Sequence, residues 1–555
     1  MDDFFMEHVK QTTPKMNPDI VNGLAVKMIG HTLEYLTNVV QSVANDFVDG
    51  LRFKDPPFEI CNPEEELRRV NIKKNEKYVI ETANSSLYLV KMMLEYKDPT
   101  AIDVRTSKPL NKYEDLDPCY IFLPYVGEAG MISISGVKYF ISPILADVVL
   151  SFEKDCIFLN LLRAKFGIKF EVHSLIRDGI YEDHKVLWSR IYNENDKEID
   201  KNDKVSTKPK STLAHYLFCY KGFYETFKEY GHCTPVLGTT DINTDNYPKA
   251  DWHIYESSRR KLKGSRYSLH TPIKVAIRKS EINESVESFI AAFFYLLDHF
   301  PNFFSDITWV NSKVKWRLML GEIIKGIAKT AGDLIETADD HIESIEQYLD
   351  TIVKYKLKTI GIHTETLFEF FAYAIANYNE WSIKSKENLN SIYDKELSIL
   401  HYTLGSIVKS INTFYFKLKS ASKSNTGRIL SKKDINNILR SNIKSRKIFK
   451  IKESQNGLTT IAYPGDNKFM KITCSMIPQK SLSKNKNDDI DIKDLANRLH
   501  PSFMANGSHL NLPKNNPIGY RTVNPYALLD SDNKFVVDPQ EKVYLDRIHE
   551  IIRRK

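Results

Sequence analysis

Two acidic clusters are the parts of this sequence best suited to metal-dependent chemistry, because grouped carboxylates can hold Mg²⁺ for phosphoryl transfer. They are DDID at residues 488–491 and DDH at residues 339–341. The first lies in a stretch rich in Lys and Asn, without a glycine for a tight turn. The second falls mostly on the polar face of a predicted amphipathic helix. We interpret both as solvated surface charge, so we predict no catalytic residue and no metal ligand in this chain.

Other catalytic signatures are missing from the sequence. It contains no G-x-x-x-x-G-K-[ST], H-E-x-x-H or G-x-S-x-G pattern. Its 6 cysteines are scattered without a C-x-x-C pair, which argues against a zinc ribbon and favours a reducing compartment. We therefore expect that the chain alone neither catalyses a reaction nor binds a cofactor.

A basic stretch at residues 409–452 is a candidate nucleic-acid surface. Neutralising phosphates with Lys and Arg releases counterions, and aromatic side chains can stack on bases. The alternative is a helix pair whose outer face is rich in lysine, and both interpretations stay open. A smaller basic cluster at residues 259–266 fits a solvated loop better. The residues that carry the first interpretation are Arg440, Lys444, Arg446 and Lys447, with Phe414, Tyr415, Phe416 and Phe449 interleaved.

Bulk composition bounds the class of protein. Of the 555 residues, 42% are hydrophobic and 11% aromatic, enough for several buried cores rather than a disordered chain. The net charge of +7 allows a polyanionic partner without requiring one. The longest apolar run, at 289–297, is too short to cross a membrane, and the first residues lack the pattern of a signal peptide. We expect a cytosolic protein of three or four domains.

Hydrophobic periodicity predicts a mixed α+β, multidomain fold. Residues 17–49 have the apolar spacing of one or two helices, whereas 119–141 show short alternating strands separated by glycine turns, which predicts an antiparallel meander. Residues 285–419 are strongly helical in pattern. The polar runs 193–210 and 481–494 are predicted to be loops or linkers.

The segment at residues 500–527 is the most informative about function. Its prolines remove hydrogen-bond donors and favour extended backbone, so it is neither a long helix nor an ordinary strand. Ordered loops of this length are usually functional. Lys514, Asn515, Asn516 and Arg521 are candidate contacts to a nucleic-acid strand. The alternative for each is loop architecture or surface charge, and it stays open.

This segment resembles the fork region of the β subunit of multisubunit DNA-directed RNA polymerases. It departs from that family at Lys514 and Asn515, and it reverses the family's Pro-Asn order at Asn516 and Pro517. A second stretch resembles the meander of the β-subunit protrusion, with Ser135 in place of an Asn and Lys138 in place of a Glu. The residues that match are His500, Pro501, Ser502, Pro513, Ile518 and Gly519 in the first segment, and Leu123, Pro124, Gly130, Ile132, Ile134, Gly136 and Ile141 in the second.

The order and separation of these motifs resemble those of the N-terminal half of the split β subunit of giant tailed phages. The resemblance implies four parts. Residues 1–150 form a first protrusion-like part, and 151–425 form a lobe-like part that is helix-rich from 285. Residues 426–470 return to the protrusion. Residues 471–555 form a fork-like region and a C-terminal tail that contacts the companion β chain.

The resemblance also implies a noncatalytic role, forming one side of the DNA cleft and part of the wall around the RNA–DNA hybrid. Mg²⁺ belongs to the assembled enzyme, on aspartates of another subunit. The implied partners are the C-terminal β half, split β′ chains, DNA template and nascent RNA, with a promoter-specificity subunit as an open addition and no membrane. The predicted nucleic-acid-binding residues are Lys514, Asn515, Asn516, Arg521, Lys471, Arg440, Lys444, Arg446 and Lys447.

Two other functions remain as alternatives. The lack of an active-site motif and the departures in the fork-like loop are compatible with a phage structural or scaffold protein. The basic stretch at 409–452 is compatible with a nucleic-acid-binding replication or packaging factor. In the favoured interpretation the protein acts in the cytoplasm of an infected bacterium, and whether it is packaged in the virion stays open.

Overall fold

The chain divides into two compact units. One is discontinuous and combines Met1–Val148 with Leu389–Lys555, whereas the other is the continuous stretch Val149–Asn388. The computed structural model describes residues 15–21, 24–44, 49–62, 65, 84–102, 112–127, 131–134, 136–141, 144–153, 156–161, 165–192, 209–258, 271–301, 303–325, 330–346, 348–349, 351–387, 391–399, 404–423, 430–443, 460–462, 476–478, 502, 520–536, 543–545, 547–548 and 551.

Helices and antiparallel sheets occur in both units, which confirms the predicted α+β class. The α-helices are α1 Pro18–Val21, α2 Leu24–Ile29, α3 Thr32–Ala44, α4 Leu213–Tyr220, α5 Phe223–Gly231, α6 Glu284–His299, α7 Lys313–Lys325, α8 Ala331–Glu346, α9 Thr351–Thr359, α10 Leu367–Ala376, α11 Tyr378–Glu387, α12 Gly405–Lys423 and α13 Lys432–Asn442. Short 3₁₀ turns lie at Lys279–Glu281, Ile307–Asn311 and Ile392–Asp394.

The strands are mostly short. They are β1 Leu51–Cys61, β2 Leu87–Tyr96, β3 Glu114–Asp115, β4 Cys119–Pro124, β5 Met131–Ile134, β6 Val137–Ile141, β7 Ile144–Asp147, β8 Leu150–Glu153, β9 Cys156–Asn160, β10 Lys165–Arg177, β11 Ile180–Tyr192, β12 Val236–Gly238, β13 Trp252–Ser257, β14 Lys274–Arg278, β15 Lys395–Ser398, β16 Thr460–Ala462, β17 Met476–Pro478, β18 Tyr520–Thr522, β19 Leu528–Leu529 and β20 Phe535–Val536.

The predicted meander at 119–141 is divided between two sheets. Strand β4 pairs with β2, from Met92 opposite Cys119 to Leu87 opposite Pro124, in a sheet with β1 and β3. Strands β5 and β6 form a separate hairpin around Gly136, whose φ is 81°. The meander prediction is therefore wrong for β4. Its apolar centre is buried on both faces, and its described pairing is with β2 in the larger sheet.

The N-terminal helices and the residues after 389 complete each other within the discontinuous unit. The described residues between 17 and 49 contain the helices α1 to α3, where one or two helices were predicted, and the chain turns at Gly30 between α2 and α3. Helix α3 packs against β1 and α12. The hydroxyl of Tyr96, in β2, donates to the carbonyl oxygen of Leu430 at 2.7 Å. Each half thus supplies surfaces that bury the other.

Two strand pairs join the halves of this unit directly. Strand β16 extends the β5–β6 hairpin, with Thr460 opposite Ile141. Strand β15 pairs with β7, so that Lys395 lies opposite Asp147. The chain therefore leaves this unit just after β7 and is back in it by β15. Helix α12 is grouped with this unit, whereas the predicted return segment at 426–470 stays a prediction.

The continuous unit is built on a seven-stranded antiparallel sheet in the order β12-β14-β13-β10-β9-β8, with β11 also paired to β10. Helix α6 packs on β10, β11 and β13 and begins at Asn283, whose side chain accepts from the N–H of Val286. It is buried around nearly its whole circumference, as expected for an apolar helix inside a core. The predicted helical region from 285 is confirmed by α6 to α11.

Candidate nucleic-acid interface

A two-stranded sheet closes the base of the loop that carries the fork-like motif. In the antiparallel pair β17–β18, Met476 lies opposite Thr522 and Pro478 lies opposite Tyr520. Residues 479–519 therefore leave and re-enter the fold side by side. Strand β17 also lies beside β7. This arrangement gives the loop a fixed base, which the sequence did not predict because the paired strands are only three residues long.

Ser502 ties the loop to a second place in the same unit. Its side chain is fully buried, and its Oγ accepts a hydrogen bond from the backbone N–H of Ile392 at 3.0 Å. The same oxygen lies 3.3 Å from Oγ of Ser391, which caps the 3₁₀ turn by accepting from the N–H of Tyr393. The sequence identified Ser502 only as a hydroxyl residue that matches the fork-like motif. In the structure its buried hydroxyl holds the chain at this point to the 3₁₀ turn at Ile392–Asp394.

The turn that holds Ser502 leads directly into β15, where several segments meet. The amide of Leu397 donates to the carbonyl oxygen of Asn533 at 3.0 Å, next to the β19–β20 hairpin. Lys395 forms an ion pair with Asp147 of β7. The anchor and the C-terminal hairpin are therefore connected through β15, and β17 lies beside β7, the strand that pairs with β15.

The predicted nucleic-acid-binding residues are described only in part. Arg521 lies in β18 opposite Ile477, so its backbone is fixed at the base of the loop, and nothing further is described of its side chain. The other predicted contacts in and before the loop (Lys471, Lys514, Asn515, Asn516) and three in the basic stretch (Lys444, Arg446, Lys447) lie outside the described residues. The basic cluster at 259–266 and the acidic run at 488–491 lie outside them as well.

Arg440 lies on the exposed side of α13 and is paired with an acid. Its guanidinium donates to Oδ2 of Asp117 at 2.6 Å. Helix α13 begins with a capping box at Ser431 and Asp434, and it buries Ile435 and Leu439. The helix is thus amphipathic, with its basic residues on the exposed side. Both a nucleic-acid surface and a helix pair with a lysine-rich outer face would have this arrangement. Arg440 is available to solvent but is not an isolated charge.

A second basic residue of this helix is balanced in the same way. Lys432 forms an ion pair with Glu114 at 2.7 Å, and its backbone N–H donates to Asp98 at 2.8 Å. Burial opposes ionisation of Asp98, but hydrogen bonds from Thr100 and the Lys432 amide, with the Lys432 charge, hold its pKa below the usual value. The acidic partners of Arg440 and Lys432 therefore make the electrostatic potential at this helix less positive than the sequence of residues 409–452 alone indicated.

The comparison with known families can now be set beside this geometry. A family model described as "Non-virion RNA polymerase subunit" matches residues 5–550. The chain belongs to that family. It is therefore a subunit of a phage RNA polymerase, with other polymerase subunits as partners, and the term non-virion indicates action in the infected host cell. No curated protein matches the sequence significantly.

Two of the four aromatic residues interleaved in the basic stretch are buried. In helix α12 of this polymerase subunit, Phe414 and Tyr415 are buried, together with Ile407, Ile411 and Leu418, at the spacing of a core-facing helical stripe. They are therefore not available to stack on bases. Phe449 lies outside the described residues. Phe414 and Tyr415 thus contribute to packing, whereas nothing is described of the side chain of Phe416.

The DDH cluster at 339–341 is used for packing and ion pairing in the subunit. Asp339 pairs with Arg317 at 3.0 Å, and Nε2 of His341 lies 2.9 Å from the hydroxyl of Tyr216. Burial lowers the pKa of His341, which favours its neutral form. Across the described ranges, no group of His, Cys, Asp or Glu could hold a metal ion. Nor does any described helix have the length and apolarity to span a membrane.

Proposed function

We propose that this subunit is the noncatalytic N-terminal half of a split polymerase β subunit, lining one side of the DNA cleft and part of the RNA–DNA hybrid wall. The observation that carries the proposal is how the motif-bearing segment, residues 479–519, is held. It is closed at its base by β17–β18 and anchored at Ser502. We expect a segment held at these points to present Lys514, Asn515 and Asn516, together with Arg521 of β18, to a nucleic-acid strand at low entropic cost.

The discontinuous unit gives independent support. In the β family the chain leaves the protrusion, builds the lobe and then returns before the fork. Here the stretch Val149–Asn388 forms a separate unit between the two parts of the discontinuous one, and β7 pairs with β15 across the insertion. The segment with the fork-like motif comes after the chain has returned to the discontinuous unit, in the same order as in the β family.

Under this proposal catalysis is supplied by other chains. Nucleotidyl transfer needs carboxylates that hold Mg²⁺ ions, and this sequence contains no D-x-D-G-D run. The Mg²⁺-binding aspartates would therefore belong to a β′-type subunit, and the chain would contact that subunit, a C-terminal β half, the DNA template and the nascent RNA.

The test is reconstitution of the polymerase from its co-expressed subunits. The subunit alone should synthesise no RNA, whereas the complete set should extend a primer on an RNA–DNA scaffold. A Lys514→Ala/Asn516→Ala variant should assemble normally but extend RNA more slowly and show a weaker salt dependence of template binding. Lys228→Ala, at an exposed lysine of the continuous unit, is the matched control. RNA synthesis by the isolated subunit, or unchanged extension by the double variant, would contradict the proposal.

A second candidate is an accessory subunit that joins a catalytic core already complete in other chains. The description of the matching family, an RNA polymerase subunit, is compatible with either role. Omitting the subunit from the reconstitution distinguishes the two. Loss of primer extension on a preformed scaffold is expected for half of β, whereas an accessory subunit would leave that extension intact.

A further inference from the structure

We draw no further inference here: the strongest candidate, the apolar patch that Val172 and Tyr181 expose on one face of the β10–β11 hairpin, carries none because nothing in the structure shows what covers it.

Discussion

Ser502 accepts a hydrogen bond from the amide of Ile392 at 3.0 Å, although the two residues are 110 positions apart. Ile392 stands where the chain has just re-entered the discontinuous unit, and Ser502 stands inside the loop with the fork-like motif. Both residues are buried, so water does not replace the bond when it is lost. The position of the loop is therefore coupled to the point of re-entry.

Ser502→Ala should lower the free energy of unfolding by about 1–3 kcal/mol, because a buried N–H loses its acceptor. The loop at 479–519 should also become more susceptible to limited proteolysis. Urea denaturation and timed digestion measure the two effects. Ser441→Ala, at an exposed position where the hydroxyl donates to its own helix, should change neither. Equal digestion of the two variants would argue against the anchor.

Removal of the inserted unit tests whether β7 and β15 hold the discontinuous unit together. Replacing Val149–Asn388 with a short Gly/Ser linker should leave a protein that unfolds cooperatively, because the pairing of Asp147 with Lys395 already brings the ends of the gap side by side. Circular dichroism during thermal denaturation gives the measurement. The same deletion carrying Leu397→Asp, which charges a buried position in β15, should lose the cooperative transition. A non-cooperative parent deletion would contradict the expectation.

Two glycines in neighbouring helices should respond in opposite directions. A Cβ on Gly321 of α7 would lie 2.2 Å from the carbonyl oxygen of Leu334 in α8, whereas the nearest contact for Gly332 is 3.9 Å away. Gly321→Ala should therefore destabilise the unit by about 1–3 kcal/mol through overpacking. Gly332→Ala should stabilise it by up to about 1 kcal/mol through helix propensity. Chemical denaturation of both variants measures the two changes in the free energy of unfolding. An increase for Gly321→Ala would contradict the close approach of α7 to α8 at Leu334.

Buried histidines should make the continuous unit sensitive to acid. Burial lowers the pKa of His215 from 6.5 to about 4, and the pKa values of His184, His299 and His341 are lowered too. Between about pH 6.5 and pH 4 the unfolded chain therefore binds more protons than the folded one. The free energy of unfolding is highest above about pH 6.5 and falls as the pH drops toward 4. For His215 alone about 2 kcal/mol should be lost by pH 5.

Unfolding free energies at pH 7.5 and pH 5 measure this loss. In His215→Gln, the difference between the two pH values should be smaller than in the wild type by about 2 kcal/mol. His363→Gln, at an exposed position, is the matched control and should keep the wild-type difference. An identical difference in all three proteins would show that His215 does not contribute.

Local patterns predicted the helices from 285 onward and the strands near 130, because apolar periodicity reports which face of a segment is buried. They did not predict which strands pair. The partner of β4 is β2 rather than β5. The second partner of β6 and the partner of β7 lie hundreds of residues later. The same applies to the candidate interface, since the acidic residues that pair with Arg440 and Lys432 are Asp117 and Glu114, more than 300 positions earlier in the chain. Pairing across such separations leaves no periodic signal in either segment.

The pairing of β7 with β15 also constrains how the protein is made. During translation the first 148 residues leave the ribosome long before β15 and β16 are synthesised. The edges of β7 and β6 that pair with these strands therefore stay unpaired until then. The stretch Val149–Asn388 emerges next as one continuous segment and can fold on its own contacts. Domains generally fold in order of synthesis, and exposed edges in waiting segments favour aggregation. In the infected cell, the N-terminal residues should therefore be the last to become protease-resistant on nascent chains and the first to recruit chaperones.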